Sequence, residues 1–253
     1  MDPTDIPKLI PLADGIHVRQ AIDNMGWIDL GGQAIVVDAL EQPELEDEVF
    51  RAIESTLGDV PIRTVLNTHS HYDHVALNPA FQRRCGADIV SVATTGVPPE
   101  GLWFEGTRRR LHFLPMPGCH TREDCIAWLP EDRILFAGDL FGWGIIPLTV
   151  NLTAELFDQL VAMYERLIAL DAETIVGGHG PLFTPDTLRR FVAYLHELRT
   201  SIGAACRAGD SDEAILAAHP PPDDLRGWWR FVAWKHDSTV RNILKATRRR
   251  LLE

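Results

Sequence analysis

The stretch IRTVLNTHSHYDH, residues 62–74, sets an apolar, β-branched run directly against three histidines and an aspartate within six positions. The run reads as a buried strand that gives out into a loop, the place where α/β proteins build their sites. The chain has ten histidines in 253 residues, and the pattern His69-x-His71-x-Asp73-His74 arises by chance in roughly one chain of this length in a thousand. The reason for the spacing is coordination. Residues two apart on an extended strand end point to the same side, so His69 and His71 can grip one ion, while Asp73 and His74 on the following turn reach a second.

On either side of this stretch strands and helices alternate, which predicts an α/β class. Upstream, IHVRQAI (16–22) and AIVVDA, ending at Ala39, read as strands separated by GWIDLGG, whose glycines punctuate a hairpin-like meander. A helix follows, with Pro43 at its first position, acids from Glu44 to Glu48, and Leu45, Val49, Ile53 and Leu57 at helical spacing. Downstream come a short amphipathic segment (77–84), a strand over 87–92, and the strands RRLHFLPM, DCIAWLP and DRILFAGD. Thr153 caps a helix that carries Leu156, Leu160, Tyr164 and Leu167 on one face, and the strand ETIV then runs into Gly177-Gly178-His179-Gly180. From Pro185 the pattern is helical only: one helix with Leu188, Phe191, Val192, Leu195 and Leu198, a shorter one opened by Ser211, and GWWRFVAWKHDSTVRNILKATRRRLL as one long final helix. The expected division is therefore a sheet-bearing domain over 1–185 and a C-terminal helical annex over 186–253 packed on it.

Three more residues of ligand type fall at strand-to-loop junctions: His120 after the turn PMPGC, Asp139 at the end of RILFAGD, and His179 among its glycines. Five histidines and two aspartates suit two borderline metal ions, with imidazoles on both and one carboxylate able to bridge.

HSHYDH, CHTREDCIAWLPEDRILFAGDLF and GGHGP, in that order, resemble the signature motifs of the metallo-β-lactamase-fold hydrolases. The resemblance implies an αββα sandwich of two mixed β-sheets flanked by helices. By it His69, His71 and His120 would hold the first metal, Asp73, His74 and His179 the second, and Asp139 would bridge them. It implies a dinuclear centre of two Zn2+, with Fe or Mn compatible, and a hydrolase in which a metal-bridging hydroxide attacks a carbonyl, with Asp73 and Asp139 as the catalytic carboxylates. Where one group of zinc β-lactamases carries a metal-binding Cys this chain has Asp139, which favours a glyoxalase II-like site. Thioester or lactone and ester cleavage is thus the leading expectation. β-Lactamase-type amide hydrolysis and an iron-dependent oxidoreductase like the persulfide dioxygenases are the alternatives.

Trp27 and Trp143 read as lying in glycine-rich loops and are candidate pocket walls, Tyr72 among the ligands is a candidate hydrogen-bond donor, and Lys235 and His236 are candidate substrate contacts from the annex. Acids outnumber Lys plus Arg by 36 to 24, a formal charge of −12, which disfavours nucleic acid and anionic membranes. A charge count of two metals against two aspartates and a hydroxide leaves the site itself positive, so the expected partner is a small molecule, an anionic one included. No run of about 18 apolar residues predicts a membrane span. The N-terminal MDPTDIPKLIPLADG lacks the build of a secretory signal, and four scattered cysteines suggest no disulfide framework, so the expected location is the cytoplasm.

Overall fold

The computed structural model describes residues 6–117, 120–141 and 152–252. The chain forms two compact units, Met1–Gly142 with Ala172–Phe183 and Trp143–Asp171 with Thr184–Glu253.

The first unit holds both sheets. Six strands lie in the order β1 (Lys8–Ala13), β2 (Ile16–Gln20), β3 (Met25–Asp29), β4 (Ala34–Val37), β5 (Ile62–Leu66) and β6 (Asp88–Val90). The first four pair antiparallel, and β5 and β6 add in parallel. The crossovers carry α1 (Glu46–Leu57) and α2 (Asn78–Cys85), as parallel connections require. A further short helix, α3 (Val92–Thr95), follows β6. The second sheet runs β11 (Thr174–Gly177), β10 (Ile134–Gly138), β9 (Cys125–Leu129), β8 (Arg110–Pro115) and β7 (Leu102–Glu105), with only the β10–β11 pair parallel. Both sheets are thus mixed.

The two-residue period of a strand divides the apolar side chains between two cores. In β4, Ile35 and Val37 join Ile16, Val18 and Leu66 against Leu111, Phe113, Ala127 and Phe136 of the second sheet, while Ala34 and Val36 face Val49 and Ile53 of α1 and Phe81 of α2. Because β4 is buried on both faces, it reads as a continuous apolar run.

The meander forms, and within it GWIDLGG is largely strand and not loop. β3 takes Met25–Asp29, and the reversal falls on Gly31 and Gly32, whose φ angles of 90° and 94° only glycine adopts readily. Trp27 is therefore no loop residue. Its indole is fully buried in the α1-side core and donates from Nε1 to Thr56 Oγ1 at 2.9 Å. The helix expected from Pro43 begins as a 3₁₀ turn (Pro43–Leu45), and α1 proper opens on Glu46, Asp47 and Glu48 at its positive end.

The second unit contains α4 (Ala154–Ala169), α5 (Pro185–Ala208), α6 (Asp212–Ala218) and α7 (His236–Arg248). Thr153 and Ser211 cap α4 and α6 as read, accepting from Leu156 N and Ala214 N. α5 packs on α4, α6 and α7, so α4, read with the sheets, clusters with the C-terminal helices.

The single long final helix is a misreading. Arg230 is left-handed (φ 53°), Phe231–Lys235 winds as a π-helix, and only then does α7 begin. At the break Phe231 is buried, its ring 5.4 Å from that of Tyr194 and 5.8 Å from that of Trp228. Among the described residues no helix is long and apolar enough to cross a membrane.

Trp27→Ala should lower unfolding stability by about 3–5 kcal/mol in urea denaturation, the loss typical of a large buried aromatic. A change below 1 kcal/mol, about the size of an exposed-site effect, would contradict the core assignment.

Candidate metal centre

The parallel pairs β4–β5 and β10–β11 bring four strand ends to one edge of the sandwich, and the loops leaving those ends carry most of the polar cluster. His69, His71, Asp73 and His74 follow β5, Asp139 follows β10, and His179 follows β11; His120 comes from the β8–β9 connection. Their ligand atoms gather in two groups, His69, His71, His120 and Asp139, and Asp73, His74, Asp139 and His179, each within a 4.8 Å span. The seven residues singled out in the sequence are thus brought together.

Asp139 belongs to both groups, and His179 Nε2 stands 3.2 Å from each of its two oxygens. Oδ2 lies 3.7 Å from His69 Nε2 and 3.4 Å from His120 Nε2, while Oδ1 lies 3.4 Å from His74 Nε2 and 3.2 Å from His179 Nε2. Asp73 Oδ2 stands 3.7 and 3.5 Å from the same two histidine nitrogens. His71 Nδ1 and His120 Nε2 face each other at 3.0 Å.

Outer side chains fix which nitrogen of each ring points inward. His74 Nδ1 is 3.0 Å from Asp38 Oδ2, an acceptor, so Nδ1 carries the proton and Nε2 is turned to the cluster. His179 Nδ1 likewise donates to Ile22 O at 2.9 Å and has Asp23 Oδ1 at 3.1 Å. Thr68 donates from both N and Oγ1 to Asp38, which leaves its hydroxyl free to accept from His69 Nδ1 at 3.2 Å. The turn bearing His179 is clamped by Asn24, whose Nδ2 donates to Gly177 O and Gly180 O. Asp124 holds the His120 loop by accepting from the backbone N–H groups of His120 and Thr121.

The donor set fits metal ions. His69 Nε2, His74 Nε2 and Asp139 Oδ1 are buried with no hydrogen-bond partner among the described residues, a cost that proteins avoid unless another ligand satisfies the atoms. Gly178 keeps the space open. A Cβ there would stand 2.1 Å from Asp139 Oδ1 and 2.7 Å from His74 Cε1. In the metal-free protein the charges interlock. Burial, reinforced by the His74 imidazole, pushes His69 down to about 2. Burial alone would also lower His74 and His179, yet the carboxylates prevail: Asp38 and Asp139 raise His74 well above the imidazole range, and Asp139 and Asp23 raise His179 to about 10. Asp139, which burial would raise, is held well below the usual carboxylate range by His74 and His179.

Of the proposed substrate contacts, Tyr72 is at the cluster, 69% exposed, with its hydroxyl donating to Glu41 Oε2 at 2.8 Å. Trp27 belongs to the core and not to a pocket wall, because its indole is sealed between β3 and α1. Trp143, like Cys119, lies outside the described residues. His236 of the second unit is buried with both ring nitrogens engaged, Nδ1 by Tyr194 OH at 2.9 Å and Nε2 by His219 O at 2.8 Å, which leaves neither for a substrate. Lys235 ends the π-helix and is half-buried. Sequence reasoning missed Asp38, Thr68, Asn24 and Asp124. Asp38 carried the same signal as Asp139, an acid closing an apolar strand.

A family model described as the metallo-beta-lactamase superfamily matches residues 20–118. Among curated proteins the chain is similar to a hydroxyacylglutathione hydrolase of Rhodospirillum rubrum, 32% identical over 154 residues, covering 57% of this chain and 56% of that one. A hydroxyacylglutathione hydrolase of Rhizobium meliloti is 28% identical over 166 residues, covering 61% and 60%. The matched region thus spans little more than half the length of these relatives. A metallo-beta-lactamase from Pontibacter korlensis shares the fold with a TM-score of 0.60 at 19% identity, covering 74% of this chain and 97% of that one.

Two outcomes test the geometry. Asp38→Ala should weaken zinc affinity about 10–100-fold in a competitive chelator titration, since His74 loses the group that orients it. Because His74 and His179 are raised, both are protonated in the metal-free protein near pH 7 and must lose a proton to ligate. Zinc uptake should therefore release roughly two protons per chain, read from the buffer dependence of the calorimetric enthalpy.

Proposed function

We propose that the chain is a dinuclear metal-dependent hydrolase of the metallo-beta-lactamase superfamily, zinc being the metal and a small thioester the substrate. The observation that carries this reading is Asp139, which belongs to both groups of ligand-type residues and whose buried Oδ1 has no hydrogen-bond partner among the described residues. His69, His71 and His120 would hold one ion, Asp73, His74 and His179 the other, with Asp139 shared. A bound pair of divalent cations lowers the pKa of water and polarises a substrate carbonyl.

The chain's own residues do the rest. Asp38, Thr68, Ile22 and Asn24 keep the imidazoles and the glycine turn in fixed orientations, so little reorganisation accompanies reaction. Asp73 is the more exposed of the two site carboxylates, with 20% of its side chain accessible against 3% for Asp139, and is the group able to take up and pass on a proton. Tyr72 stands at the open side, held by Glu41, where its ring can flank an entering substrate. The thioester is favoured over a lactone or β-lactam because the curated relatives quoted are named for a thioester. Cytoplasmic residence is part of the same proposal, in keeping with the free thiols of Cys85, Cys125 and Cys206.

Metal analysis together with a substrate panel tests the reading. About two zinc per chain is expected, and kcat/KM for a glutathione thioester of a 2-hydroxy acid should exceed that for a chromogenic cephalosporin by at least about tenfold. Asp139→Ala should lose one metal and lower kcat/KM by about 10³-fold or more. A single tightly bound iron with oxygen consumption and no hydrolysis would overturn the proposal.

A further inference from the structure

The second unit contains a cavity of about 690 Å³ formed by α5 and the chain from the end of α7 to Leu252. Among the described residues, none of the seven of the cluster lines it and neither does any Asp or Glu, although acids make up 36 of the 253 residues. Four arginines do: Arg199, Arg207, Arg248 and Arg250, with the Thr200 hydroxyl and the Cys206 thiol among them.

Two of the four are tied at the rim. Arg199 pairs with Asp158 at 2.8 Å and donates to Leu252 O, and Arg248 pairs with Asp212 at 2.9 Å and donates to Asp210 O. Arg207 and Arg250 make no ion pair among the described residues. Both α5 and α7 end here, and the negative end of a helix, about half a charge each, favours nearby cations. That effect is too small to account for the cluster. Two carboxylates and two helix ends offset about three of the four guanidinium charges, so a positive surplus remains in a strongly acidic chain. Arg250 also stands in the left-handed conformation (φ 57°) just past a helix C-terminus, where glycine or asparagine is usual, so a guanidinium is kept there against backbone preference.

We propose that this arginine-lined cavity of the second unit binds a phosphorylated small molecule. Guanidinium groups match the tetrahedral phosphate with paired N–H donors, and the Thr200 hydroxyl adds a neutral one. The volume is that of an ordinary small-molecule site and exceeds what a lone phosphate needs, so the ligand carries an organic body. The proposal stands whether or not the hydrolase reading does.

Cys206 reports on occupancy from the cavity wall. With the intact protein, adenosine monophosphate and inorganic pyrophosphate serve as probes, and alkylation of Cys206 and Cys85 is followed by mass spectrometry alongside equilibrium binding. The proposal expects saturable binding of the monophosphate, at least about fivefold slower alkylation of Cys206 with Cys85 unchanged, and at least a tenfold rise in Kd for Arg207→Gln/Arg250→Gln. Both arginines are exposed, so circular dichroism of the variant should match the parent. Tighter binding of the nucleotide than of pyrophosphate would support the organic body. Equal Cys206 labelling with and without ligand, or a variant Kd within twofold of the parent's, would overturn the site, because phosphate drawn to metal ions neither shields Cys206 nor needs these arginines.

Discussion

A carboxylate buried as deeply as Asp139 must be compensated, because the desolvation of an isolated charge costs far more than a protein's net stability. In the metal-free protein the compensation comes from the imidazoles of His74 and His179, whose Nε2 atoms stand 3.4 and 3.2 Å from Asp139 Oδ1. Most of the first unit's architecture follows from having to deliver those nitrogens. Parallel pairing of β4 with β5 and of β10 with β11 sends four loops to one edge, and the glycine turn after β11 admits the backbone where any side chain would strike Asp139. Protons meet this demand in the metal-free protein, and the proposed metal ions would meet the same electrostatic demand.

The ring outside the cluster is as constrained as the cluster itself. Asp38 takes a positive φ of 61°, unfavourable for a residue with a Cβ, and in that conformation its carboxylate receives Thr68 N, Thr68 Oγ1 and His74 Nδ1 together. Local backbone strain is thus sustained by charge-assisted hydrogen bonds at the place where imidazole orientation matters. Asn24 does for the His179 turn what Asp38 does for His74, using neutral amide donors on backbone carbonyls.

The second unit is governed by different forces. Its helices carry tertiary packing of aromatic rings, and Tyr194, Phe231 and His236 form one buried group closed by hydrogen bonds. That group, together with Arg230 lying over the Trp229 and Trp234 rings at 4.4 and 4.6 Å, accounts for the interrupted final helix better than any local propensity does. The arginines at the ends of α5 and α7 are far apart in sequence and meet only because these helices pack together.

The sequence by itself determined which histidines and aspartates are of ligand type, most of the strands and the capped helices. Ligand chemistry and hydrophobic period are properties of short segments, legible in His69 to His74, in AIVVDA and in Thr153 and Ser211 without any knowledge of what lies opposite. The tertiary structure alone decided which strand ends meet, that Trp27 is core, that Asp38 and Asn24 hold the imidazoles and their turn, and that the last helix breaks at Arg230. Each depends on partners that local pattern does not encode: Thr68 lies 30 residues from Asp38, and Ile22 lies 157 from His179. Burial and hydrogen-bond satisfaction are settled between such distant segments, where the energy of the whole fold overrides the preference of any one stretch.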